Sequence, residues 1–331
     1  MNHAESLAGV VSAPNSHPEG EPLPCCVAHW ANAPEVGNRS PWMPREGLED
    51  EEGLFLPNNL PPLVDAHVHV FPDALFRAVW RWFDAYGWPI RYKFYADEVI
   101  RHLQARGVTE LVLLHYAHKA GMARSMNAFM ADVVKRHVHV TGLATVYPGE
   151  TGQVEILEEA FAQGLRGVKL HCHVQALPSD DARMLPIYEL CQARGLPVVI
   201  HAGREPWSGN LPCDPYEVCQ VQRIEHVLKN FPRLKLCVPH LGADEFVEYT
   251  SLLRKYEFLW LDTTMMIGGY FPIDNPWQWV LARPDRILFG SDFPNLPYAW
   301  DREANAIAQA KLPTAVLENV VGKNARALFG L

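Results

Sequence analysis

From residue 62 onward the chain alternates between short apolar runs of four to eight residues and longer stretches in which apolar positions recur every three or four residues. The short runs read as strands and the longer ones as amphipathic helices. Strands are expected at 63–70, 108–115, 139–146, 167–171, 196–201, 234–240, 259–262 and 286–292. Helices are expected at 73–86, 97–106, 123–135, 154–163, 181–194, 215–230, 244–256, 276–282 and 300–310, with Gly107 closing the second. A strand followed by a helix, repeated eight times, calls for parallel pairing through right-handed crossovers. Over about 270 residues such units close most simply into a (β/α)8 TIM barrel. A doubly wound open sheet is the alternative, but the Gly-rich turn it would need after the first strand is missing.

Residues 1–61 follow neither period. Residues 1–62 hold ten of the 27 prolines, and an acidic run occupies 46–52. Proline denies hydrogen bonds to helix and ladder alike, so this part is expected to be an irregular Pro-rich N-terminal arm on a barrel spanning 62–331. The arm is expected to wrap the barrel or to touch a second subunit of a homo-oligomer.

Composition narrows the partners. With 48% hydrophobic and 20% charged residues the chain reads as globular, and its net charge of −9 is spread without a basic stripe, so nucleic acid is not an expected partner. No apolar run approaches the roughly 20 residues that span a bilayer, and a basic and apolar secretion signal is missing, so no membrane partner and a cytoplasmic location are expected. The seven cysteines show no CxxC spacing and are read as reduced. The vicinal pair Cys25-Cys26 has no nearby ligand to complete a site.

Chemistry enters at the strand ends. Alternation along 63–70 puts Asp65, His67 and His69 on one face and Val64, Ala66, Val68 and Val70 on the other. A bare HxH also suits a strand with two satisfied histidines. The later strand ends, however, bring Lys169 and His171, His201, His240 and Asp292, and a barrel gathers all of them at one mouth. Singly, His201 reads as a core histidine and Asp292 as a cap or turn residue. Jointly, three histidines and an aspartate suit a divalent ion, Zn²⁺ by its preference for nitrogen and carboxylate ligands with one position left for water.

This order of residues, with Asp292 inside Gly-Ser-Asp-Phe-Pro at 290–294, resembles the amidohydrolase superfamily, and within it the amidohydrolase-2 branch of lactonases and decarboxylases. The resemblance covers 62–331, including a closing helix at 322–329. It implies that His67, His69 and His201 bind the metal, that Asp292 completes the shell, and that His240 stands beside it. It implies a hydrolase whose metal-bound hydroxide attacks an ester, lactone or amide of a small, anionic molecule, with Asp292 moving the proton and His240 polarising the substrate oxygen. A metal-dependent decarboxylase of an aromatic or muconate-like acid is the second reading, and a non-catalytic metal-binding protein the third. One ion is favoured. A carboxylated Lys169 would bridge two, whereas an unmodified Lys169 would pair with a substrate carboxylate or with Asp292. Asp65 would orient an imidazole or simply fill the barrel.

Several other residues are expected near substrate. His171 would contact substrate or a water, and His173 would lie in a loop. Arg204 would fork onto a carboxylate or phosphate, or else pair with Glu205 or Asp214. The aromatic stretch 80–95 would roof the pocket, form a subunit contact or pack against the arm. The segment 265–270, with adjacent glycines, would be a mobile lid or a plain turn.

Overall fold

The computed structural model describes residues 47–204 and 210–331. Eight parallel strands run in chain order: β1 (Val64–His69), β2 (Glu110–Leu114), β3 (Val140–Gly142), β4 (Val168–His171), β5 (Val198–His201), β6 (Leu236–Val238), β7 (Leu259–Asp262) and β8 (Ile287–Leu288). The ladder is continuous within β1–β3 and within β4–β8. Backbone hydrogen bonds close both seams. Ala144 N–H donates to Gly167 O and Lys169 N–H to Ala144 O, while His69 N–H donates to Phe293 O and Asp292 N–H to His67 O. The chain is therefore a (β/α)8 TIM barrel, as the alternation of periods predicts.

The outer layer is built from α1 (Asp73–Tyr86), α2 (Ala96–Ala105), α3 (Ala123–Arg136), α4 (Gln153–Ala162), α5 (Cys172–Gln175), α6 (Leu185–Arg194), α7 (Pro215–Val218), α8 (Val221–Asn230), α9 (Phe246–Lys255), α10 (Trp277–Ala282) and α11 (Arg302–Gln309). The helix expected at 181–194 begins with a 3-10 turn and continues as α6 with Pro186 in its first turn, where a missing N–H costs nothing. The helix expected at 215–230 divides into α7 and α8 around Cys219 and Gln220. A continuous helical run follows α11, made of α12 (Thr314–Glu318), a π turn (Asn319–Lys323) and α13 (Asn324–Phe329). Among the described residues no helix is long and apolar enough to cross a membrane.

Strand alternation divides the core in two. Leu111 and Leu113 of β2, Val198 and Ile200 of β5, and Leu259 and Leu261 of β7 face the helices within one large cluster. Val112, Leu114, Val199, Cys237, Trp260 and Leu288 face inward, meeting Ala325, Leu328 and Phe329 of α13. Strand β1 departs from the strict alternation expected of it. Its register against β2 slips between Asp65 and Val68, so that three residues of β1 span two of β2. Such a bulge reverses the parity of the strand below it. Val64 and Ala66 join the inward cluster, and Asp65 does not sit one step beneath the histidines. Its carboxylate reaches Ser291 instead, accepting from Ser291 Oγ at 2.5 Å, from Ser291 N–H and from His67 N–H at 3.1 Å.

The described part of the arm, from Gly47, lies on the barrel. Gly53 N–H donates to Asp301, Trp300 Nε1 donates to Gly53 O, Arg91 and Tyr92 hold Glu52, and Arg302 pairs with Asp50 at 2.8 Å. The pair Cys25-Cys26 and the greater part of the arm lie outside the described residues. The aromatic stretch 80–95 is committed to packing within the chain. Trp82, Phe83, Trp88 and Tyr92 are buried, Trp88 Nε1 donates to Asn295 O, and the Tyr92 ring lies 5.0 Å from that of Phe293.

Candidate metal centre

The strand ends at the C-terminal mouth deliver a set of buried polar side chains: His67, His69, Lys169, His171, His201, His240, Asp262 and Asp292. Beyond the bulge, β1 resumes alternation and aims His67 and His69 inward, with their Nε2 atoms 3.2 Å apart. The chain after β8 crosses in front of them. There Asp292 adopts φ +73° and its backbone N–H is tied to His67 O. Its Oδ1 lies 3.0 Å from His69 Nε2 and 3.3 Å from His67 Nε2. Gly290 makes this approach possible. A Cβ there would stand 2.4 Å from Thr264 Oγ1 and 2.7 Å from the Cβ of His67.

These three residues form a compact group whose ligand atoms lie within 4.8 Å of one another, the one such group found among the described residues. Burial favours neutral imidazole, and it holds His67 down to about 4 against the opposing pull of Asp262. Burial by itself would push the Asp292 carboxyl up, but the His69 hydrogen bond and the surrounding histidines hold it below its ordinary value. The group thus offers neutral nitrogens beside an ionised carboxylate, a donor set that fits a divalent ion. A second observation agrees, because His201 Nε2 is buried without a hydrogen-bond partner.

The other strand ends make a second tier. His201 stands outside the compact group, with its ring stacked 4.3 Å from that of His171 and 4.8 Å from that of His240. Burial pushes both His171 and His201 well below the usual imidazole range. Lys169 of β4 is buried, and its charge acts on His67, His171, His201 and His240. His240 lies beyond the end of β6 because Pro239 cannot extend the ladder. It takes φ +59°, and its Nδ1 lies 3.1 Å from Thr264 O.

Three expectations need correction. His173 is not an exposed loop residue; it is fully buried in α5, 2.9 Å from Gly203 O. Arg204 is held by carboxylates other than Asp214. Its Nε lies 2.7 Å from Asp244 and 3.5 Å from Glu245, and its guanidinium covers the Tyr216 ring. Glu205 and Trp207 lie outside the described residues. The segment 265–270 is a pinned turn, with Met265, Met266 and Tyr270 buried and the N–H groups of Ile267 and Gly268 donating to Glu303.

Asp262 escaped the sequence reading. It ends β7 in the register of the other strand-end groups, and that position was the available signal. Its Oδ2 lies 2.8 Å from His67 Nδ1, and its Oδ1 accepts from His240 N–H and Thr264 N–H. Tyr116, whose ring packs 4.9 Å from His171 and 5.7 Å from His69, carried no signal beyond its place after β2.

A family model described as amidohydrolase matches residues 64–331. Among solved structures, 5-carboxyvanillate decarboxylase from Sphingomonas paucimobilis is 17% identical, with a TM-score of 0.59 over 81% of this chain and 99% of its own. A dihydroxybenzoic acid decarboxylase from Polaromonas sp. JS666, with bound manganese and the inhibitor 2-nitroresorcinol, is 17% identical, with a TM-score of 0.60 over 82% of this chain and 98% of its own. A protein described as a probable 2-pyrone-4,6-dicarboxylic acid hydrolase from Acinetobacter baumannii, with citric acid bound, is 18% identical, with a TM-score of 0.57 over 82% of this chain and 100% of its own. No curated protein matches the chain.

Proposed function

The chain belongs to the amidohydrolase family, and on that premise we propose that it is a metal-dependent hydrolase opening an ester, lactone or amide bond of a small anionic molecule. The observation that carries the reading is the single Asp292 oxygen set against both Nε2 atoms of the HxH pair, at 3.0 and 3.3 Å. His67, His69 and Asp292 would hold the ion, with His201 the fourth donor from the neighbouring tier, and Zn²⁺ suits that set. When bound there, a divalent ion supplies Lewis-acid polarisation and lowers the pKa of a coordinated water.

The chain's own groups then have distinct tasks. Asp292, kept ionised at the mouth, takes the proton of the attacking water and returns it to the leaving oxygen or nitrogen as the carbonyl carbon–heteroatom bond breaks. His240 faces the same space and hydrogen-bonds the carbonyl oxygen on which charge develops. Lys169 supplies a buried positive charge that balances an anionic substrate. Burial of the whole set excludes bulk water and strengthens each of these interactions.

Decarboxylation is the second reading, favoured by the buried Lys169 charge, which equally suits a substrate carboxylate. The two separate by product. The protein is assayed for ring opening of a lactone and ester panel and, in parallel, for CO₂ release from hydroxybenzoates and muconate-like acids. Hydrolysis without CO₂ is the expected result, CO₂ release alone would replace it with the second reading, and full activity in chelator-stripped protein would sink both.

A further inference from the structure

We infer that Asp262 is a positioning residue whose two carboxylate oxygens divide the work, one fixing the metal-ligating tautomer of His67 and the other fixing the turn that presents His240. The inference rests on the metal-centre reading above. Oδ2 lies 2.8 Å from His67 Nδ1, and Oδ1 accepts from His240 N–H at 2.9 Å and Thr264 N–H at 3.1 Å. Asp262 is buried, and each of its two oxygens has its own partner.

A carboxylate oxygen accepts, so the 2.8 Å contact of Oδ2 calls for the His67 proton on Nδ1. The lone pair then falls on Nε2, the atom 3.2 Å from His69 Nε2 and 3.3 Å from Asp292 Oδ1. The opposite tautomer would place a proton where the ion binds. Carboxylate partners of this kind raise the basicity of a ligating imidazole as well as fixing its tautomer.

On the other oxygen, three consecutive residues leave β6 with positive φ: His240 at +59°, Leu241 at +53° and Gly242 at +77°. For histidine and leucine this conformation persists only when the surroundings impose it. The exit of β7 imposes it twice, through Asp262 on the His240 N–H and through Thr264 O on its ring. One side chain therefore sets both the ligand and the group beside it.

Asparagine cannot do both. With its oxygen toward His67, its NH₂ meets two backbone N–H donors; with its oxygen toward those donors, its NH₂ meets Nδ1 and drives the proton to Nε2. The test strips wild type and Asp262→Asn of metal, titrates each with Zn²⁺ against a chromophoric chelator, and reads the His67 tautomer by ¹⁵N NMR. Expected are a proton on Nδ1 in metal-free wild type and zinc binding weakened about 10- to 100-fold in the variant. Equal zinc affinity in the two proteins would overturn the inference. So would a proton on Nε2 in wild type, a measurement that needs no variant to fold. If wild type itself takes up no zinc, the metal-centre reading falls and this inference with it; zinc uptake by wild type with equal affinity in the variant removes this inference alone.

Discussion

Three positions at the mouth invite substitution one at a time, because each has a different consequence. His67→Ala deletes a donor atom and leaves Asp262 without its partner, so metal content measured by elemental analysis should fall to background while the circular dichroism of the barrel persists. His240→Asn should leave one bound ion in place and lower kcat by about 10²- to 10³-fold, the usual cost of losing one group that stabilises developing charge. A drop from two bound ions to one would instead indicate a binuclear site bridged by a carboxylated Lys169. Gly290→Ala tests packing rather than chemistry. The new methyl group would press on Thr264 Oγ1 and on the His67 Cβ, and over-packing of that kind costs about 1–3 kcal/mol. Chemical denaturation should show that loss, with weaker zinc binding beside it.

At the scale of elements, the turn after β7 and helix α11 are joined through Glu303. Its carboxylate accepts from the N–H groups of Ile267 and Gly268, and burial pushes its pKa up to about 8. Unfolding exposes the same group to water, where it ionises near 4.5. Between those values the unfolded chain gives up a proton that the folded chain retains, so this group's contribution to stability declines as pH rises from about 5 to 8. Glu303→Gln cannot ionise, and its Tm should therefore fall less steeply than that of wild type across the same interval. Equal slopes would show that Glu303 titrates normally in the fold.

The same elements show what a single sequence can and cannot carry. Periodicity marks all eight strands, and the polar residue ending a strand is visible wherever the apolar run stops, as at His67, Lys169, His201 and His240. The bulge in β1 is invisible to periodicity because the composition of Val64–His69 is compatible with perfect alternation; the slip is set by pairing against β2. Asp262 was legible as a strand end, but its partner His67 lies 195 residues earlier, and only closure of the barrel makes them neighbours. The partners of Arg204 were missed for the same reason, since Asp244 and Glu245 arrive from the exit of β6. Two glycines at 268 and 269 suggested freedom, whereas Glu303, more than 30 residues downstream, pins the backbone there.

Seen whole, the barrel divides stability from chemistry along its axis. The candidate metal centre occupies the C-terminal mouth, while α13 closes the opposite end. Ala325, Leu328 and Phe329 fill the inward cluster, Asn324 Nδ2 donates to Pro284 O and Ile287 O, and Arg326 pairs with Glu110 at the start of β2. Leu328 is buried in the inward cluster with Val64 and Ala66 of β1, away from the donor atoms of His67, His69 and Asp292. Leu328→Ala removes its buried methyl groups and leaves a cavity, a change that typically costs 2–5 kcal/mol, about the same as for other leucines in a barrel floor. Its effect should appear in the denaturation midpoint and be missing from zinc affinity and kcat measured on the folded fraction, because the substitution removes no group that faces the candidate ligands. A Leu328→Ala protein that lost zinc affinity in proportion to stability would mean that the floor and the mouth move as one unit, and that the bulged β1, which touches both, transmits the change.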